Sequence, residues 1–204
     1  MAGTVSPRLL TVPGLCCSGP DHWQSLWEAT RPDCARIELP DWDDPDPEAW
    51  IAALDRSIGL ATTPVVLAAH SLGCHAVVRW AAARPENLSR VAGALLVAPP
   101  DVDAIDTDPR VASFAPTPRA PLPFSAMLIA SRDDPYASFG RLRAMADIWS
   151  AEFVDVGCLG HINADSGIGL WPDGQRHAGR LLAGGIAGLE GGEAKLCRHI
   201  LQPG

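Results

Sequence analysis

Short apolar runs alternate along the chain with segments whose apolar residues recur at helical spacing. Leu9-Leu10-Thr11-Val12 stops at the turn pair Pro13-Gly14, and Ala35 to Leu39 alternates before Pro40. Val65 to Ala69, Val91 to Ala98 and Ser125 to Ser131 are continuous runs, the pattern of strands buried on both faces, and Glu152 to Val156 is a last strand. Between them, Trp23, Leu26 and Trp27 share a helical face, with Asp21 the expected N-cap. Asp46-Pro47-Glu48 opens a helix whose Trp50, Leu54 and Ile58 point inward as core. Helical spacing returns from Leu72 to Trp80, in Leu142, Met145, Ala146 and Trp149, and from Asp173 to Leu182, where Gly184-Gly185 is the expected stop. Residues 101–123, rich in Asp and Pro, read as a surface excursion. This alternation predicts an α/β fold: one mostly parallel sheet with helices on both faces. A single domain over residues 1–187 is expected, followed by a glycine-rich tail, 188–204, partly disordered apart from a short helix near Ala194 to Leu201.

Composition narrows the partners. The 204 residues carry a net charge of −8, which disfavours nucleic acid and anionic membrane surfaces. No signal peptide or run of membrane-spanning length is visible, so a cytoplasmic location is expected. The six cysteines show no C-x-x-C pairing and are expected to be free thiols. The acidic loop around Trp42 lacks the glycine and distal glutamate of a calcium loop, and neither a metal nor a cofactor is called for.

The candidate chemistry lies where strands end. The run Val65 to His70 passes through Ser71 directly into a helix, the context of the G-x-S-x-G nucleophile elbow, with Ala69 in place of the first glycine. By itself, Ser71 would also serve as a helix cap. However, Asp133-Asp134 and His161 also follow strands, and the order Ser, Asp, His is that of α/β-hydrolases. Such a set does nucleophilic work because a hydroxyl needs a base to take its proton and a carboxylate must hold that base in the right tautomer. In this pattern the backbone amides of Leu15, after the first strand, and Leu72, after the serine, are the expected oxyanion hole. The two aspartates cannot be ranked on pattern alone.

Further motifs carry a resemblance. Val12-Pro13-Gly14, Ser18-Gly19-Pro20 with His22-Trp23-Gln24, His70-Ser71-Leu72-Gly73, Ala98-Pro99-Pro100-Asp101, Ser131 with Asp133-Asp134-Pro135-Tyr136, and Gly160-His161-Ile162-Asn163 run in register from about Leu9 to Leu182. Together with Ser166-Gly167 and Trp171-Pro172, they resemble the YdeN-like and retinoblastoma-binding protein 9 family of small serine hydrolases. The resemblance implies a compact α/β-hydrolase without a lid domain, with Ser71 as nucleophile, His161 as base and Asp134 as acid. It departs from the pattern at Ala69 and at the bulky Leu15-Cys16-Cys17 loop. The expected function is hydrolysis of small carboxylic esters through an acyl-enzyme, with Trp23 and Trp42, on the loops after the first two strands, either walls of a small acyl pocket or part of the core. The alternatives are an amide or thioester substrate for the same triad, or a protein-binding module on a hydrolase scaffold. No protein partner is named by the sequence.

Overall fold

Six parallel strands order themselves as β2-β1-β3-β4-β5-β6 in the computed structural model, which describes residues 8–197. The strands are β1 (Arg8–Val12), β2 (Cys34–Arg36), β3 (Val65–His70), β4 (Val91–Val97), β5 (Ser125–Ala130) and β6 (Glu152–Asp155). The helices between and after them are α1 (Trp23–Thr30), α2 (Pro47–Leu60), α3 (Leu72–Ala83), α4 (Pro109–Ala112), α5 (Phe139–Trp149) and α6 (Pro172–Cys197).

The period-two alternation of each strand builds a core on either side of the sheet. On one face Leu10, Val12, Leu67, Leu96 and Leu128 pack under α2, α3 and α5, against Trp50, Leu54, Trp80 and Trp149. On the other, Leu9, Val66, Leu95, Val97 and Ile129 pack under α1 and α6, against Trp23, Trp27, Ala178 and Leu181. Parallel pairing of β3 with both β1 and β4 buries all six of its residues, which is why its sequence is continuously apolar up to His70.

The chain leaves β1 toward β2 on one side and returns to β3 on the other, so the strand order reverses between β1 and β3. At such a reversal, the connections leaving the two strands' carboxyl ends diverge and open a crevice. Leu15 and Ser71 stand on the two sides of this crevice.

Four details differ from the sequence pattern. The cap of α1 is His22, not Asp21: the His22 Nδ1 accepts the Gln24 N–H. β2 ends at Arg36, short of Leu39, because it is an edge strand with one neighbour. The excursion 101–123 is not wholly superficial, since Val102 and Phe114 join the core and α4 lies within it. Finally, α6 runs through Gly184 to Cys197. Gly184 keeps a helical sign of φ rather than the left-handed one of a helix stop. A glycine inside a helix costs only about 1 kcal/mol, and no proline lies between Gly184 and Cys197 to enforce an end. The expected tail helix to Leu201 lies beyond Cys197 in part, outside the described residues.

Candidate active site

Ser71 occupies a sharp turn between β3 and α3 with φ 52° and ψ −127°, a conformation that costs a non-glycine residue on the order of 1–3 kcal/mol. Its N–H donates to the Val97 carbonyl (2.9 Å) and its carbonyl accepts from the Cys74 N–H (3.0 Å), so both sides of the turn are tied down. The turn also needs close backbone approach. A Cβ on Gly73 would lie 2.3 Å from the Val12 carbonyl oxygen, and one on Gly14 would lie 2.8 Å from the Ser71 Cβ. Ala69 needs no such exception: its methyl is fully buried in the core between Val12 and Leu96. This explains how an alanine fits where the elbow pattern has glycine.

His161 is carried by the loop after β6, which bends through Gly157 and Gly160, both at positive φ. Its Nε2 lies 2.9 Å from Ser71 Oγ, and its Nδ1 lies 3.1 Å from each carboxylate oxygen of Asp134. A carboxylate at Nδ1 keeps the proton there, which leaves Nε2 to accept from the serine hydroxyl. The Asp134 side chain is fully buried and also accepts the Tyr136 N–H (2.9 Å). Ser71, His161 and Asp134, each carried at the end of a different strand, therefore form one hydrogen-bonded line, at the edge of a cleft of about 830 Å³.

Asp133 points elsewhere. Its Oδ1 accepts from Ser131 Oγ (2.7 Å) and from the Gly160 N–H (2.8 Å), while Ser131 Oγ accepts from the Leu159 N–H (2.9 Å). Those hydrogen bonds, the Ser131 hydroxyl first, hold its carboxyl below the usual carboxylate range. Asp133 and the buried Ser131 thus brace the loop that carries His161. Two further donors reach that loop: Trp23 Nε1 to the Ile162 carbonyl (2.9 Å) and His70 Nε2 to the His161 carbonyl (2.9 Å).

Both tryptophans named as possible walls of an acyl pocket lie outside the cleft lining. Trp23 is completely buried between Trp27 and Trp171, because its aromatic surface is the centre of the core beneath α1 and α6. Trp42 packs edge-on against Trp50, and its carbonyl accepts the Cys16 N–H (2.9 Å). It thereby anchors the loop after β1. In that loop Cys16 and Cys17 take left-handed φ values of 59° and 61°, and Leu15 lines the cleft. Leu72 follows at the first turn of α3, where amides have no partner within the helix.

The excursion after β4 supplies the opposite wall, through Pro100, Ala104, Val111 and the charged Asp106, Asp108 and Arg110. Arg110 forms a two-pronged ion pair with Asp108, Nε to Oδ1 (3.0 Å) and Nη2 to Oδ2 (2.7 Å). Sequence patterning missed this wall because its residues have no periodicity. It also missed His22 and His70, which line the cleft behind Ser71. Burial first, and then the neighbouring His161, pushes both imidazoles down, His22 to about 4, so they stay neutral at physiological pH. Cys74, one turn past the serine, is fully buried, and burial pushes its thiol far up, which leaves it unreactive. Cys16, Cys17, Cys74 and Cys158 are free thiols.

A six-stranded parallel sheet between two helix layers, with a strained serine at the β3 to α3 turn, defines an α/β-hydrolase. Comparison with known proteins narrows the class: the serine hydrolase family profile matches residues 9–180, and the chain belongs to that family. A YdeN-like hydrolase from Pectobacterium atrosepticum superposes with a TM-score of 0.77 at 34% identity, over 87% of this chain and 91% of its own. The ydeN gene product of B. subtilis superposes with a TM-score of 0.67 at 19% identity, over 87% of this chain and 100% of its own. No curated protein sequence matches the chain. Among the described residues, no helix is long and apolar enough to cross a membrane.

Proposed function

We propose that this serine hydrolase cleaves small carboxylic esters by acyl transfer to Ser71. The observation that carries the reading is the continuous line from Ser71 Oγ through the His161 ring to the buried Asp134 carboxylate, at the mouth of a cleft. In the first step the Ser71 oxygen attacks the ester carbonyl while His161 Nε2 takes the hydroxyl proton. Asp134 stabilises the imidazolium that forms. The amides of Leu15 and Leu72 hold the oxyanion, and the positive end of α3 adds to their field. His161 then returns the proton to the departing alkoxide, and an acyl-enzyme ester on Ser71 remains. Water activated by the same histidine repeats the sequence, releasing the acid and restoring the serine.

Steady-state hydrolysis of p-nitrophenyl butyrate tests the reading. Ser71→Ala and His161→Ala should each lower kcat/KM by roughly a thousand-fold or more. Turnover by Ser71→Ala close to that of the wild type would refute it. Thioester and aminoacyl amide analogues in the same assay rank the acyl substrates.

A further inference from the structure

Four buried side-chain nitrogens have no hydrogen-bond partner among the described residues: His22 Nε2, His75 Nδ1, Arg84 Nε and His177 Nδ1. Of these, only His22 belongs to a residue lining the cleft. Leu15, Gly19, His70 and Ser71 also line that cleft, and the His22 ring packs edge-on against His70 at 4.6 Å. The residue as a whole is 5% exposed.

The tautomer of His22 follows from its role as a helix cap. Because Nδ1 accepts the Gln24 N–H (3.2 Å), the single proton of the neutral ring sits on Nε2, which is therefore a donor. The ring is neutral because burial above all pushes it down to about 4. An unmade bond from a buried donor is costly, and because His22 is one of the residues that line the cleft, an acceptor brought by a bound ligand is the partner that would relieve it. Nothing in the hydrolytic sequence above uses it: the proton relay runs through His161, and the oxyanion faces backbone amides.

We propose that His22 Nε2–H is a substrate-recognition donor, which selects esters bearing an acceptor oxygen, an ether, hydroxyl or second carbonyl, close to the scissile group. The inference rests on the acyl-transfer reading of the cleft and adds to it a substrate class: oxygen-substituted short esters over plain alkyl ones. His22 is a specificity residue in this scheme and takes no part in proton transfer.

Two pairs of nearly isosteric esters test it, because in each an ether oxygen replaces one methylene. p-Nitrophenyl methoxyacetate against p-nitrophenyl butyrate places the acceptor on the acyl side. 2-Methoxyethyl butyrate against butyl butyrate places it on the alcohol side. The readout is the ratio of kcat/KM within a pair, followed from wild type to variant, so that intrinsic reactivity cancels. His22→Asn and His22→Ser both keep a capping acceptor for the Gln24 amide and remove the Nε2 donor. Each should lower the ratio in one of the two pairs by roughly three- to ten-fold, with the loss carried by KM, because the bond is made before chemistry. His22→Gln offers an amide donor near the Nε2 position without the cap, and should preserve the ratio while lowering the melting temperature. A purely structural His22 would slow both members of each pair alike. Unchanged ratios in both pairs for His22→Asn and His22→Ser would overturn the inference while leaving the acyl-transfer reading intact. Failure of the wild type to turn over any of the four esters would overturn that reading, and this inference with it.

Discussion

At the residue scale, adjacent aspartates have been given different work by the direction of their side chains. Asp134 faces the His161 ring, whereas Asp133 braces the loop behind it. Asp134→Asn should lower kcat by about ten-thousand-fold, because an amide in place of the carboxylate leaves His161 in the wrong tautomer. Asp133→Asn keeps an oxygen that accepts from Ser131 and Gly160, and kcat should fall by no more than several-fold. Measuring both variants on one ester decides the matter, and the reverse order would move the acid to Asp133. Pattern alone could not separate this pair, since both residues follow β5 within a tight turn. The resemblance implies Asp134, the aspartate whose carboxylate lies 3.1 Å from His161 Nδ1. The same scale shows where residue-type reasoning stops: the place of Trp23 after β1 fits a pocket wall or the core equally well, and the residue is fully buried in the core. A tryptophan in a loop-to-helix junction does not declare which way it turns.

At the element scale, the strand and helix sequence was legible because period two and period 3.6 are strong signals in buried elements. β3 was readable almost to the residue, as were the starts of α3 and of the helix opened by Asp46-Pro47, whose aspartate does accept the Ala49 N–H (2.7 Å). The aperiodic stretch after β4 was not readable. Its burial depends on single residues, Val102 and Phe114, that reach back into the core, and no local pattern encodes such contacts. The long α6 was missed because glycines suggest a stop that they do not enforce. The elbow itself gives an element-scale test. Gly73→Ala would drive a methyl into the Val12 and Pro13 carbonyl oxygens, at 2.3 and 2.5 Å, where backbone must move. It should cost about 1–3 kcal/mol of stability, with loss of activity as the serine shifts. Ala69→Gly should cost less than about 1 kcal/mol and keep activity. Thermal unfolding and ester turnover of the two variants check this, and equal effects would contradict the close-approach account.

At the scale of the whole molecule, three buried histidines, His22, His70 and His75, are held neutral by burial, with His22 and His75 at about 4. Once unfolded, each would take up a proton below about 6.5, so the unfolded chain binds more protons than the folded one between roughly pH 6.5 and 4. Stability should therefore be fully present above that window and fall as the pH drops through it, by up to about 1.4 kcal/mol per pH unit for each histidine. Chemical denaturation at pH 7.5, 6 and 5 measures this, and a flat profile would contradict it. The lowered carboxyl of Asp133 acts in the same direction only at lower pH, below the ordinary carboxylate range. The cleft as a whole also sets acyl length. Its outer wall carries Asp106, Asp108 and Arg110, which a long hydrocarbon chain would have to desolvate. Acetate and butyrate esters should thus be hydrolysed with higher kcat/KM than decanoate or palmitate, and a clear rise toward decanoate would contradict the polar-wall account. The central claim is that His161, held by Asp134, makes Ser71 a nucleophile. Reaction with a fluorophosphonate, followed by mass spectrometry of the peptides, tests it most directly. The account expects a single phosphonyl adduct on Ser71 in the wild type, and none in Ser71→Ala or His161→Ala; an adduct elsewhere, or equal labelling of Ser71→Ala, would contradict it.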